Sequence, residues 1–592
     1  MQRRIHFSHI FVPICLMLVV LLANMAGQGS VAHAQDAQST GSLARAFAQA
    51  SNEFGVPAPL LEALCYMEGR LSNHGGSPSV DNGFGCVHLV KNSRVDTLDS
   101  AARAIHVSTA QLRTSMAANI RGGAALLRNY ALQLSAQHAL PTTLAGWYGA
   151  VAAYSNSTTQ ATARMYADAL YKILNSGFTA QADDGETITL APQHVSPETA
   201  TANDVKAAAT LPAGCASDSN TDYSGAIDCI LSPSTFDCNV TSPCTYNSSN
   251  RPTTYPIQFV TIHDIEGTVQ DALNVFQDPT SDVSIHYIVD TDGTVYQVLH
   301  EKDIAFHNGN YWYNERSVGI EHAGIDATGY QWYNAAEYLG SAKLVAYLLT
   351  KYNIPLDHDH IMSHGTTPAP TLGTTPNHVD PGPYWLWDYY FSLINQQGVS
   401  FPQYPTNSNT LILHPSTSAA PLGNNGAETA ANFNFFNLYT GPSTASGLIP
   451  NASNGTDITD ETYNIETDLS YYYVTTAPDS AGTGDTMYEI WYGESDNLPS
   501  SQSMDGKLAW LAVPPGDAVS GYGTSVELVE AHHRTPVIYG EPVASKTYQV
   551  GDAANNAIFA SPFTLTISGT VWYAINYNHR QLWVPSSEVT VL

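Results

Sequence analysis

Three residues able to hold a divalent cation stand at the ends of apolar runs. His263 closes Val260-Thr261-Ile262, His364 closes Ile361-Met362-Ser363, and Asp380 opens Asp380-Pro381-Gly382-Pro383. Two imidazoles and one carboxylate form a donor set for Zn²⁺ that leaves a coordination position open. Each lies at a strand end or in a loop, where distant parts of a chain can assemble a site. Singly, each also reads as an ordinary loop residue, because the chain carries 21 His. A separate carboxyl, Glu68, ends the run Leu60-Leu61-Glu62-Ala63-Leu64-Cys65-Tyr66-Met67-Glu68. On a helix it shares a face with Leu61, Leu64 and Cys65, and a carboxyl among apolar neighbours can serve as a general acid.

These residues need elements to position them. At about 150 residues per domain, 592 residues suggest about four domains. Charged residues are 12% and the formal net charge is −30, which excludes nucleic acid as a partner, since phosphate binding needs surplus Lys and Arg. Aromatic content of 10% argues against general disorder. One apolar run approaches spanning length, residues 11–25, after Arg3 and Arg4 and before Ala32-His33-Ala34. It reads as a secretory signal cleaved near Ala34, giving a secreted or envelope protein without stable membrane association. Six Cys follow it: Cys65, Cys86, Cys215, Cys229, Cys238 and Cys244. An even count in an exported chain predicts disulfides, and pairing in sequence order is the expectation.

Residues 42–178 carry apolar positions at helical spacing and predict a helical domain. Residues 179–250 read as a linker and Cys-rich lead-in. Residues 251–397 mix β-rich runs, such as Ile285-His286-Tyr287-Ile288-Val289, with a helix over Ala335–Tyr352 and a tight turn at Asp292-Gly293. That mixture predicts an α/β domain with a central mixed sheet. Residues 398–430 read as a second linker. Residues 431–530 and 531–592 read as two small β-barrel modules.

Residues 251–390 resemble the type 2 N-acetylmuramoyl-L-alanine amidases, relatives of T7-type phage lysozyme and the peptidoglycan recognition proteins. The matches run in the family's order: the strand Val260-Thr261-Ile262-His263, the hairpin Ser284-Ile285-His286-Tyr287 through Asp292-Gly293-Thr294-Val295-Tyr296, Ala305-Phe306-His307-Asn308-Gly309, Ser317-Val318-Gly319-Ile320-Glu321, His364, and Asp380-Pro381-Gly382-Pro383. The resemblance implies zinc ligation by His263, His364 and Asp380. It implies cleavage of the amide between N-acetylmuramic acid and L-alanine of the peptidoglycan stem. A catalytic Tyr before the hairpin His is replaced by Ile285, so Glu321 maps as the proton carrier. His378 stands where many members carry Lys. His286, Tyr287 and His307 are expected to frame the substrate groove.

The helical region resembles soluble lytic transglycosylases of lysozyme-like fold through Glu68, Gly83-Phe84-Gly85-Cys86-Val87-His88-Leu89, Asn119-Ile120-Arg121-Gly122-Gly123 and Ala152-Ala153-Tyr154-Ser155-Asn156. It departs at Gly69 and at Val87-His88. A Cys65–Cys86 bridge is expected to fix the loop beside Glu68. Trp572-Tyr573-Ala574-Ile575 and Trp583-Val584-Pro585 resemble the closing strands of bacterial SH3-like wall-binding modules, which would act as tethers. Two alternatives stand beside the amidase reading. One is a peptidoglycan-binding protein without activity, against which the full ligand set argues. The other is glycan cleavage at Glu68 as the main activity.

Overall fold

The computed structural model describes residues 41–79, 82–92, 95–157, 159–205, 211–216, 220–326, 329, 335–371, 380–414, 435–449, 465–492, 507–530, 535–577 and 579–592. The expected signal segment and His378 lie outside them. Among the described residues no helix is long and apolar enough to cross a membrane.

The chain first folds into helices: Ser42–Phe54, Ala58–Gly69, Thr97–Ile105, Thr109–Thr114, Met116–Leu134, Tyr148–Tyr154 and Gln160–Ser176. Ser108 and Gln111 form a capping box, and Asp96, Ser115 and Thr159 accept from first-turn amides of their helices. The central helix, Met116–Leu134, buries Ile120, Gly123, Ala124, Leu127 and Ala131, the stripe that a 3.6-residue period creates. The segment read as a linker continues this unit. Its hairpin, Phe178–Gln181 with Thr187–Leu190, returns Glu186 to the first helix, where its carboxylate accepts from Leu43 N (2.8 Å) and Ala44 N (3.0 Å). A carboxylate there satisfies amides that have no partner within the helix.

The next unit is a six-stranded mixed sheet flanked by helices. In chain order its strands are β1 (Ala226–Asp228), β2 (Phe259–Asp264), β3 (Tyr287–Val289), β4 (Val295–Gln297), β5 (Ser317–His322) and β6 (Ile361–Ser363), and their spatial order is β6-β2-β5-β3-β4-β1. The four strands from β6 to β3 run parallel; β4 is antiparallel to β3 and parallel to β1. The edge strand β1 comes from the Cys-rich lead-in. Helices α1 (Val269–Phe276), α2 (Ala335–Tyr352) and α3 (Trp387–Asn395) accompany the sheet. Val260, Ile262, Val318 and Ile320 join Ala342, Val345, Trp385 and Tyr390 in one buried cluster. Alternation along β2 sends Phe259 and His263 to the opposite face. The turn at Asp292-Gly293 forms as expected: Gly293 has φ +81°, and a Cβ there would lie 2.5 Å from Ala336 O. Cysteines pair in sequence order, Cys65–Cys86, Cys215–Cys229 and Cys238–Cys244.

Two features of the C-terminal region differ from the sequence expectation. The strand Thr410–Leu413, inside the segment read as a linker, sits in a six-stranded antiparallel sheet between Ser470–Pro478 and Ala518–Ser520. Its apolar run is short, so the surrounding Pro, Ser, Thr and Asn dominate the composition. The strand Thr524–Leu528 pairs with Ile558–Ser561 and Val589–Val591, which joins it to the last module rather than the one before. Beside it lies a five-stranded sheet containing Val537–Tyr539, Thr570–Tyr577 and Arg580–Pro585.

These sheets pack on the α/β unit. At one seam His414 Nδ1 lies 2.6 Å from Asp388 of α3 and 2.9 Å from Asp468. Burial pushes the imidazole down, and the two carboxylates outweigh it, raising its pKa to about 10. The folded value exceeds the unfolded one, so the stability linked to the His414 proton is present below about pH 6.5 and is lost as pH rises through about 10. The melting temperature is expected to fall on the alkaline side up to about pH 10, and calorimetry on His414→Gln should show a shallower fall. An identical slope in the variant would remove the bridge from this account.

Candidate metal centre and active site

Strand register assembles the site. In the parallel β2–β5 pair His263 lies opposite Glu321, and Ile262 lies opposite Ser363 of β6, so His364 emerges just past the carboxyl end of its strand. Ligand sites of α/β sheets form outside those carboxyl ends. His263, His364 and Asp380 each offer a donor atom there, all within 4.8 Å of one another, and all three residues are buried. His263 Nδ1 is 3.2 Å from Asp380 Oδ2 and His364 Nδ1 is 3.0 Å from Asp380 Oδ1. Asp264 N donates to Asp380 Oδ2 at 3.2 Å. Burial pushes the Asp380 carboxyl up, but the imidazoles, His364 foremost, outweigh it and hold it well below the carboxylate range.

A hydrogen-bond chain sets the tautomer of His263. Ser317 Oγ donates to Tyr313 O (2.8 Å), so it accepts from His307 Nε2 (3.1 Å). His307 Nδ1 is then an acceptor, and its partner at 2.9 Å is His263 Nε2. The His263 proton therefore sits on Nε2, and Nδ1 turns its lone pair toward Asp380. Orientation of this kind aligns imidazole ligands in metal sites. His307 itself stays neutral, its pKa held well below the ordinary value by burial and by the neighbouring imidazoles, His263 first.

Glu321 completes the group. Its Oε2 is buried without a hydrogen-bond partner. Burial, then Asp380 and Asp264, push its pKa well above the ordinary value. An orphaned carboxyl oxygen beside two imidazoles and a carboxylate suits a divalent cation, which would satisfy the charge that the three donors concentrate here.

The structure brings His263, His364, Asp380, Glu321 and His307 together. His286 and Tyr287, expected at the groove, are instead 0% exposed and offer no surface to a ligand. His286 Nδ1 accepts from Gly319 N (3.1 Å), and Tyr287 OH donates to Glu301 (2.5 Å). The alternation of a doubly covered strand buries both. Glu68 lies elsewhere, on the helical unit, in a pocket lined by His88, Tyr154, Asn156 and Tyr166 and by Asp292 of the β3–β4 turn. Tyr166 OH donates to its carboxylate, and His88 Nδ1 is 3.4 Å away. The Ser317–His307 relay was not legible beforehand; Ser-Val-Gly-Ile-Glu and Ala-Phe-His-Asn-Gly marked its two residues without showing that they meet.

Residues 253–383 match the family model described as N-acetylmuramoyl-L-alanine amidase. N-acetylmuramoyl-L-alanine amidase A of Achromobacter lyticus is 28% identical over 177 residues, covering 27% of this chain and 93% of that protein. Among solved structures, a selenomethionine AmpD derivative is 22% identical, with TM-score 0.21, covering 25% of this chain and 90% of its own. The E. coli amidase AmiD, solved with an anhydro-N-acetylmuramic acid peptide, is 22% identical, with TM-score 0.21, covering 27% of this chain and 64% of its own.

Gly319 makes the relay geometry available: a Cβ there would lie 2.5 Å from His307 Nδ1 and 2.6 Å from Ile285 Cδ1. Gly319→Ala is expected to cost about 1–3 kcal/mol in chemical denaturation, the range for overpacking a core. A cost near zero would show that His307 is not wedged against this strand.

Proposed function

We propose that the chain is a peptidoglycan hydrolase in which the α/β unit cleaves the amide between N-acetylmuramic acid and the L-alanine of the stem peptide, with zinc as cofactor. The observation that carries this reading is the convergence of His263, His364 and Asp380 at the carboxyl ends of parallel strands, with Glu321 beside them. The family match over residues 253–383 and the Achromobacter relative support the substrate class.

Zinc, when bound by these three residues, supplies Lewis acidity at neutral pH. The chain's own groups then divide the remaining work. With a bound cation's charge offsetting Asp380, Glu321 would be ionised; it then takes a proton from the attacking water through its unpartnered Oε2 and returns it to the leaving L-alanine nitrogen. Water oxygen bonds to the lactyl carbonyl carbon as the C–N bond breaks, giving a lactyl carboxyl group and a free amino terminus. His307, locked by Ser317, keeps the His263 lone pair aimed at the site. In this scheme His378, outside the described residues, lends a positive charge to the developing oxyanion. Export fits the three disulfides, which persist in oxidising compartments. Net charge −30 gives no attraction to an anionic wall, so affinity must come from the groove and neighbouring units.

The test is release of L-alanine amino termini from purified peptidoglycan. A chelator is expected to abolish release and zinc to restore it. Glu321→Gln should retain the metal and lower kcat by about 10²–10⁴-fold, the contribution of a positioned general acid–base group. A zinc-loaded wild type that binds peptidoglycan without releasing termini would instead be a binding protein.

A second reading rests on the pocket at Glu68. Its buried carboxylate, held by Tyr166 beside His88, supports glycan-strand cleavage by the helical unit, whose fold we read as lysozyme-like. New reducing or anhydro ends should then disappear in Glu68→Gln and persist in Glu321→Gln. Loss of all hydrolysis in Glu68→Gln alone would overturn the amidase assignment.

A further inference from the structure

We propose that the C-terminal β region is part of the catalytic unit rather than a tether, and that Arg580 is the positioning residue through which it fixes the His364 loop. The proposal rests on the reading of His364 as a metal ligand.

The loop after His364 offers three successive backbone carbonyls, and one short strand edge takes all of them. Arg580 Nη1 donates to Gly365 O (2.6 Å) and Thr367 O (3.2 Å), and Gln581 N donates to Thr366 O (2.9 Å). The same loop is tied to the other ligands: His364 N donates to Ile262 O (3.0 Å) and Gly365 N to Asp380 O (3.1 Å). Displacing it would shift His364 relative to both His263 and Asp380.

Arg580 is 0% exposed. Burying a guanidinium is costly, and charge-assisted bonds to carbonyls such as those from Nη1 are short and strong. Both carbonyls take N–H bonds from the single Nη1 nitrogen, whose direction the rigid guanidinium plane fixes, whereas a lysine ammonium is a flexible, strongly hydrated point charge. The seating around it is equally dry. Trp583 Nε1 donates to Tyr313 OH (3.0 Å), and Gln581 Nε2 donates to Asp359 O (2.9 Å). Asn310 Nδ2 donates to both Pro368 O and Gly540 O (3.1 Å each), and a Cβ on Gly540 would lie 2.1 Å from Ala369 O. From the short strand Ile465–Glu466, paired with Phe435–Phe436, Glu466 accepts from Thr366 Oγ1 (3.1 Å) and from Trp387 Nε1 (3.0 Å), holding the loop from a second side. Phe259, Met362 and Tyr313 of the α/β unit share one apolar cluster with Tyr539, Trp572 and Trp583. A module that only raised local concentration on a polymer would need none of these contacts.

The test uses the full chain carrying Arg580→Met or Arg580→Lys. Zinc affinity is read by competition with a chromophoric chelator, kcat and KM on a soluble muropeptide, and wall binding by pelleting with insoluble peptidoglycan. Arg580→Met should weaken zinc binding by about 10–100-fold, as loss of groups that orient metal ligands does elsewhere. It should lower kcat with KM near wild type and leave pelleting unchanged, and Arg580→Lys should recover part of both losses. If Arg580→Met does not fold, Arg580→Lys decides, since a flexible, strongly hydrated ammonium lacks the rigid plane that aims Nη1 at both carbonyls, and zinc affinity must still fall. Wild-type zinc affinity and kcat in a folded variant, with reduced pelleting, would overturn the proposal in favour of a tether. A wild-type chain that binds no zinc would overturn the metal reading and this proposal together, whereas equal binding by wild type and variant overturns only this proposal.

Discussion

A carboxylate buried between two imidazoles is the constraint from which the α/β unit's design follows. Asp380 is only 6% exposed and still held in its charged form, so the protein must surround it with donors. The Asp264 amide donates to it, and the imidazoles of His263 and His364 stand 3.2 and 3.0 Å away, the positions from which a shared cation would meet the remaining charge. His263 and Asp264 end β2 and His364 follows β6, so a shift of either strand end would leave charge unpaired in a low-dielectric interior. The neighbouring Glu321 feels the same charge with the opposite effect, since a carboxyl beside a carboxylate is driven toward its neutral form. The arrangement separates two acidic groups into one that stays charged and one pushed toward its neutral form.

Parallel pairing provides the rigidity this demands. In β6, β2 and β5 the carboxyl ends point the same way, so three chemically useful side chains emerge together without long reaches. Behind them a second layer of hydrogen bonds fixes their orientation. Ser317 and His307 set the proton of His263, and His322, whose Nδ1 lies 2.9 Å from His263 O and Nε2 2.7 Å from Ser341 Oγ, ties the strand end to α2. Gly319 is bare because the His307 ring occupies the space a side chain would fill.

The other units lean on this frame more closely than a string of independent modules would. Thr294 Oγ1 approaches Thr162 Oγ1 of the helical unit at 3.5 Å, Arg70 stacks over the Tyr389 ring, and Asp292 reaches the pocket around Glu68. On the far side the β sheets bring buried polar groups to the α/β unit. Buried polar contacts are costly unless fully met, which makes such an interface specific in register and orientation.

Much of this was legible beforehand. The order of His263, the hairpin, Glu321, His364 and Asp380 along the chain marked the candidate site through its resemblance to the amidase motifs; position at strand ends alone left each ligand an ordinary loop residue. The helix Ala335–Tyr352 and the Asp292-Gly293 turn were legible for a local reason: periodicity and turn chemistry act over a few residues. Cysteine count and order allowed the observed pairing without requiring it. Local pattern carries no information about what packs on what. Burial of His286 and Tyr287, the relay through His307 and Ser317, the strand at Thr410–Leu413, and the seating of Arg580 on the Gly365 and Thr367 carbonyls all join residues far apart in the chain. The amino-acid sequence thus determined the chemical groups and the elements that bear them. The tertiary structure alone decided which groups face solvent, which face one another, and which surfaces close over them, because burial and long-range hydrogen bonding exist only once the chain is packed.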